Sequence, residues 1–136
     1  MNGVASVNQR LLAIECLRTL KGSMTFRELS KEVKLPAGVL NRYVNGNVLP
    51  KLSRANEILH YFEKQYFRQY LLKESFAKES KFLVTTTILS KPFYLRFIAS
   101  HAAHYFPEKV DKVFTAAVDG IPLAVAIADY LGAEAI

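Results

Sequence analysis

Arg42 and two asparagines are the side chains of this chain best suited to recognising a base. Arginine forms two parallel hydrogen bonds with the edge of guanine, and asparagine does the same with adenine. Asn41 and Asn45 are four residues apart with Arg42 between them, in the segment Pro36–Gly46. Residues three and four apart share one side of a helix. The spacing therefore predicts a helix that contacts base edges in a DNA groove.

The same segment contains the signals for that helix. Pro36 suits the opening of a helix and Gly46 favours its end. Two small residues, Ala37 and Gly38, stand at the leading end, where they would let the backbone approach the DNA. The pattern also predicts an inward face made of Val39, Leu40 and Tyr43.

A short helix is predicted just before this one. Thr25 and Glu28 have the spacing of a capping box, in which each side chain accepts a hydrogen bond from the other residue's backbone. Met24 and Leu29 have the spacing of a hydrophobic staple across the same helix end. We expect this helix to stop near Lys34. Two short helices joined by a tight turn are the arrangement that lays the second helix in a major groove.

A further helix is predicted at the N-terminus. Ser6 and Gln9 also have capping-box spacing, and they indicate a helix start at Ser6. Lys21 and Gly22 indicate its end, because a cation in the last turn and a glycine just past it are typical of helix termini.

From Ser53, which can cap it, a helical pattern runs to about Phe76, with basic residues between the apolar ones. Aromatic and basic residues in alternation can stack on single-stranded nucleic acid, but on a helix such a stripe more often forms core or a dimer contact. We interpret residues 63–80 as a connector helix and expect a homodimer. The stripe comprises Ile58, Leu59, Phe62, Tyr66, Tyr70 and Leu71.

Positive charge is confined to one half of the chain. Residues 1–70 contain eleven Lys and Arg against five Asp and Glu, whereas residues 71–136 contain seven of each. This favours a polyanion-binding module joined to a neutral one. Cys16 has no disulfide partner, His101 and His104 are expected to pack rather than bind metal, and no metal or catalytic site is indicated. Without a signal peptide or membrane span, we expect a cytoplasmic protein.

Over about residues 5–62, the chain resembles the helix-turn-helix domain of phage repressors. The resemblance rests on Phe26–Val33, on the run Leu-Asn-Arg-Tyr-Val-Asn-Gly ending at Gly46, and on the trailing Pro50. It departs at Lys34, where the family usually has a glycine, so we expect a left-handed or adjusted backbone there.

The resemblance implies which residues would contact double-stranded DNA. By position, Ala37, Gly38 and Arg42 would read bases; since the first two are small, readout would depend on Arg42, Asn41 and DNA shape. We predict a DNA-binding domain over residues 1–62. Two alternatives are a helical bundle whose basic face is only solvated, and an adaptor whose helical half binds a partner protein. Phosphate contacts are predicted at Arg27, Lys34, Lys51 and Arg54.

The second half changes to an α/β pattern. We predict a mainly α N-terminal domain followed by an incomplete α/β segment over residues 81–136, with a strand–helix–strand unit. A parallel sheet needs more strands than this, so we expect the chain to be part of a longer protein. Strands are predicted at Phe82–Leu89, Lys112–Val118 and Ala133–Ile136, and helices at Phe93–Tyr105 and Ile121–Leu131.

Val110–Gly132 resembles the opening strand, loop and helix of type I phosphoribosyltransferases, the orotate enzyme especially. Shared features are an Asp before a hydrophobic strand, then Gly-Ile-Pro-Leu-Ala and Ala-x-x-Leu-Gly. The resemblance implies that Val118, Asp119 and Gly120 form a loop for a nucleotide or phosphoribosyl pyrophosphate effector. The family's acidic phosphoribosyl pyrophosphate motif is absent, so we expect no enzyme activity and no cofactor.

Together, the two resemblances imply a transcription regulator similar to archaeal regulators with a phosphoribosyltransferase-like domain. Such a protein would bind double-stranded DNA as a dimer and sense a small phosphorylated effector. The alternative is an accessory N-terminal part of an active phosphoribosyltransferase of nucleotide metabolism.

Overall fold

The computed structural model describes residues 3–75 and 86–136. This part of the chain is mainly helical, which is compatible with the mainly α N-terminal domain that the sequence predicted. It divides into two compact units, residues 1–70 and 71–136. The division falls within the segment interpreted as a connector, and it coincides with the change from the basic to the neutral half of the chain.

Unit 1 is helical throughout, connected by short turns. After its fourth helix the backbone continues through a π-helical turn, Glu63–Phe67, into α5 (Arg68–Ser75). The long helix predicted from Ser53 is therefore present, with a wider turn in its middle; Phe76 lies outside the described residues. The preceding helices are α1 (Gly3–Lys21), α2 (Phe26–Val33), α3 (Ala37–Val44) and α4 (Leu52–Phe62).

Two predicted helix starts are wrong by a few residues. α1 begins at Gly3, so Ser6 lies inside the helix and Gln9 is a buried residue rather than a cap. The residues before Ser6 include no helix breaker at an interior position, so nothing stops the helix there. α4 begins one residue before Ser53, because the carbonyl of Lys51 already accepts the first intrahelical bond from the N–H of Ala55, at 2.8 Å.

The π-helical turn changes which aromatic residue enters the core. A regular helix would place Tyr66, four residues after Phe62, on the buried side. One extra residue in the turn brings Phe67 there instead, 8% exposed, with its ring centroid 6.3 Å from that of Phe62. Tyr66 is half-buried and stacks on Tyr70 at 6.1 Å. Of the predicted stripe, Ile58 and Phe62 lie in the core, whereas Leu59, Tyr66, Tyr70 and Leu71 are half-buried.

The core of unit 1 holds the short helices against the long ones. The largest side chains that are fully buried come from each of the four helices and from the loop before α4. They are Cys16, Leu17, Leu20, Leu29, Leu40, Pro50 and Phe62. This burial fixes the inward faces of α2 and α3, and it thereby determines which side of each helix faces solvent.

Unit 2 contains the predicted strand–helix–strand arrangement. The strands β1 (Lys112–Val113) and β2 (Glu134–Ala135) pair in parallel and are joined through α8 (Ile121–Leu131). Gly132 ends α8 with a left-handed backbone, φ +68°, as its position predicted. The remaining elements are α6 (Thr86–Leu89), α7 (Pro92–Ala103) and a 3-10 turn at Val118–Gly120.

Two strand predictions in unit 2 need correction. Residues 86–89 form a helical turn that buries Ile88, although their β-branched sequence predicted a strand; residues 82–85 of that prediction lie outside the described part. The strand expected over Lys112–Val118 is only two residues long, since β2 pairs with nothing beyond Val113. Phe114 and Val118 are accordingly 79% and 80% exposed.

Candidate nucleic-acid interface

α3 presents the five predicted base-contacting residues on one exposed side. Its inward side chains Leu40 and Tyr43 are 0% and 6% exposed. The two small residues occupy the first turn, and at Gly38 there is open space where a Cβ would stand. The exposed residues are Ala37, Gly38, Asn41, Arg42 and Asn45.

The turn before α3 is built as the sequence predicted. Lys34 adopts a left-handed backbone, φ 56° and ψ 42°, so a lysine takes the place that glycine usually fills. The hydroxyl of Ser30 donates to the carbonyl of Leu35 at 2.5 Å, which ties the turn to α2. Leu35 is buried, and Pro36 then leads directly into α3. The turn therefore fixes the direction in which α3 leaves α2.

The predicted capping box at the start of α2 is confirmed. The N–H of Glu28 donates to Oγ1 of Thr25 at 3.2 Å, and the N–H of Thr25 donates to Oε2 of Glu28 at 2.8 Å. The bond from the Thr25 backbone, followed by the one from its hydroxyl, lowers the pKa of the Glu28 carboxyl below its ordinary value. A carboxylate stabilised in this way also suits the positive end of the helix dipole.

Two arginines of α1 donate hydrogen bonds to carbonyls at the C-terminal end of α3 and in the loop after it. The sequence analysis predicted neither bond. Nε of Arg18 donates to the carbonyl of Val44 at 2.7 Å, which satisfies a carbonyl at the C-terminal end of α3. Nε of Arg10 donates to the carbonyl of Pro50 at 2.7 Å, in the loop after α3. Their eight-residue spacing indicates a shared helix face, but no local signal in the sequence identifies a carbonyl partner so far along the chain.

Two of the predicted base-contacting side chains of α3 are hydrogen-bonded to each other. Nδ2 of Asn45 donates to Oδ1 of Asn41 at 3.0 Å. Asn45 caps the C-terminal end of α3, and its N–H also donates to the carbonyl of Asn41 at 3.0 Å. This bond favours one relative orientation of the two amides.

Two of the predicted phosphate contacts lie together beside α3. Lys51 and Arg54 line a hollow of about 210 Å³ with Ser53 and the α3 residue Tyr43. The hollow brings two cations next to the N-terminal turn of α4, where backbone N–H groups also attract anions.

Five basic side chains of unit 1 are exposed and available to an anion. Arg27, Lys34, Arg42, Lys51 and Arg54 are exposed, and none of them forms an ion pair within the described residues. Several acidic residues of unit 1 are engaged elsewhere. Glu28 caps α2, Glu32 accepts a bond from Tyr61, and Glu63 pairs with Arg68.

The residues expected to bind an effector lie in the 3-10 turn that leads into α8. An apolar hollow of about 300 Å³ adjoins this turn; Val118 lines it, whereas Asp119 and Gly120 are not among its lining residues. The lining contains no lysine or arginine. A Cβ at Gly120 would overlap the hydroxyl of Thr115, so this position requires glycine unless Thr115 moves.

Other candidate chemistry is not assembled into a site. The rings of His101 and His104 lie 6.3 Å apart, and Nδ1–H of His104 donates to the carbonyl of Ser100 at 2.8 Å. Burial raises the pKa of the Cys16 thiol, which disfavours the reactive thiolate. Among the described residues, no group of three or more potential ligands is placed to hold a metal. None of the helices in this part of the chain is long and apolar enough to cross a membrane.

Comparison with known proteins gives no relative: no family model, curated protein or solved structure matches the chain.

Proposed function

We propose that this protein is a sequence-specific, double-stranded DNA-binding transcription regulator, with α3 as the helix that enters the major groove. The observation that supports this most strongly is the exposed side of α3. It combines small residues in the first turn with Asn41, Arg42 and Asn45 beyond them. The turn at Lys34 and the bond from Arg18 to Val44 hold the helix at both ends.

This arrangement suits the way proteins divide DNA recognition. Cations and backbone N–H groups bind phosphates and set the register, while side chains in the groove read base edges. Lys51 and Arg54 lie beside α3 and are suited to phosphates, and Arg42 is suited to guanine. Half-sites in DNA are usually read by dimers, so we propose that the chain binds as a homodimer.

The direct test is binding of the chain to a random-sequence duplex, measured by fluorescence anisotropy across a salt series. We expect affinity that falls steeply as salt rises, because each phosphate contact releases counterions. Selection of tight binders from a random library should then yield a defined sequence. A folded chain with no affinity at low salt would contradict the proposal and favour a protein-binding adaptor.

We further propose that unit 2 belongs to a phosphoribosyltransferase-like domain that senses a nucleotide or phosphoribosyl pyrophosphate. The parallel β1–α8–β2 unit with a turn ahead of α8 supports it. The mostly apolar lining of the adjoining hollow favours a base over a bare pyrophosphate. Calorimetric titration with phosphoribosyl pyrophosphate and with nucleotides tests this, and turnover of either would instead favour the accessory part of an enzyme.

A further inference from the structure

We infer that Asn41 and Asn45 act as one reading unit, in which Asn45 determines which end of the Asn41 amide faces the DNA. This inference rests on the proposed function of α3. Both side chains are exposed, and Nδ2 of Asn45 donates to Oδ1 of Asn41 at 3.0 Å. Asn45 is thus a positioning residue, and Asn41 is the residue that contacts the base.

The two ends of the asparagine carboxamide form different hydrogen bonds. One end, the oxygen, only accepts hydrogen bonds, and the other, the NH₂ group, only donates them. An unrestrained asparagine can turn either end outward. In this protein the oxygen of Asn41 already accepts from Asn45, which leaves the NH₂ group of Asn41 to face the groove.

An outward NH₂ group selects a particular kind of base edge. In the major groove guanine presents the acceptors N7 and O6, and thymine presents the acceptor O4. A bidentate contact with adenine would require the oxygen and the NH₂ group of Asn41 to face the base together, whereas the bond from Asn45 turns the oxygen along the helix toward residue 45. The pair therefore changes the expectation for Asn41 from adenine, which a free asparagine reads, to an acceptor edge of guanine or thymine.

The helix holds this pair in place. Residues four apart are neighbours on a helix surface, and the N–H of Asn45 bonds to the carbonyl of Asn41 at 3.0 Å, so the backbone between them is fixed. The bond from Arg18 to the carbonyl of Val44 restrains the same end of α3. Arg42, beside Asn41, is free to contact the neighbouring base pair.

The substitution Asn45→Asp reverses the polarity of the pair. A carboxylate only accepts, so Asp at this position would take a bond from the NH₂ group of Asn41 and turn the oxygen of Asn41 toward the DNA. Preference at the base pair that Asn41 contacts should then move to an edge with a donor, the amino group of adenine or cytosine. Asn45→Ala should only weaken the preference.

The test is selection of binding sequences from a random library with the wild-type chain and four variants. Asn41→Ala identifies the base pair that Asn41 reads, by loss of preference there. Asn45→Asp should reverse the preference at that same pair by about tenfold in relative affinity. Asn47→Asp is the matched control, because it adds the same charge two residues away and should weaken binding to all sequences equally. Asn45→Ala completes the set.

The outcomes separate this inference from the proposed function. If wild type selects a sequence but Asn45→Asp keeps the same base at the Asn41 position, or changes a different one, the coupled pair is wrong and DNA binding stands. If the folded wild-type chain binds no DNA, the proposed function itself is wrong, and the inference fails with it. Circular dichroism of each variant shows whether it is folded, so that a lost base preference is not confused with unfolding.

Discussion

At the scale of single residues, Arg42 has the greatest capacity for base recognition on α3. Its guanidinium offers five N–H donors in a planar fork, and none of them is used by another described residue. The neighbouring Asn41, by contrast, already accepts a bond from Asn45. Discrimination between operators should therefore depend more on Arg42 than on either asparagine.

Replacing Arg42 should relax specificity at one base pair. We expect Arg42→Ala to reduce discrimination at that pair by about 1–3 kcal/mol and to change the rest of the selected sequence little. Arg54→Ala should instead weaken binding to all sequences and reduce the salt slope by about one. Competition binding against single-base operator variants measures both effects. Uniform loss of affinity in Arg42→Ala would contradict its reading role.

At the scale of elements, the capped start of α2 contributes to the stability of unit 1. The capping box of Thr25 and Glu28 satisfies two backbone N–H groups that would otherwise have no partner. We expect Thr25→Ala to lower the free energy of unfolding by about 1 kcal/mol. Urea denaturation measures this, and an unchanged midpoint would contradict a stabilising role of the cap.

The same cap predicts a pH dependence with a definite sign. The pKa of Glu28 is lowered in the folded chain, so the ionised carboxylate stabilises the fold above the unfolded pKa. That contribution disappears as the pH falls through the lowered value. Glu28→Gln should therefore be less stable than wild type at pH 7, and the difference should shrink as the pH falls through the carboxyl's titration, by urea midpoint. Glu57→Gln on α4 is the control, and a difference that stays constant on acidification would contradict the prediction.

The π-helical turn between α4 and α5 is a second element-scale feature that mutation can test. Because this turn places Phe67 in the core and leaves Tyr66 half-buried, Phe67→Ala should cost about 3–5 kcal/mol of unfolding free energy. Tyr66→Ala should cost clearly less. The reverse order by urea denaturation would indicate a regular helix without the extra residue.

At the scale of the whole molecule, local signals predicted the helices of unit 1 well. The capping box, the left-handed Lys34 and the Gly46 stop are interactions within a few residues, so the sequence contains all of their determinants. The bonds from Arg18 and Arg10 to carbonyls in and after α3 join residues 26 and 40 positions apart. No local pattern specifies such partners, which explains why these supports were missed.

In unit 2 the strands were predicted less accurately from the sequence than helix α8. A strand requires a partner as well as a suitable sequence, and pairing with β2 extends only over Lys112 and Val113. Residues 86–89 have a β-branched sequence but form a helical turn, because packing of Ile88 outweighs local propensity. Helix α8, whose Pro122 and Gly132 are local signals, was predicted with its bounds as observed.

The central claim is that the basic unit binds DNA and the neutral unit does not. The most direct measurement is the salt dependence of anisotropy-monitored binding to a random duplex, for wild type and two charge-matched variants. Lys51→Gln removes a charge beside α3, and Lys109→Gln removes one from unit 2. We predict steep salt dependence, with a slope about one smaller for Lys51→Gln and unchanged for Lys109→Gln. No binding by the folded wild type, or equal effects of the two substitutions, would contradict the account.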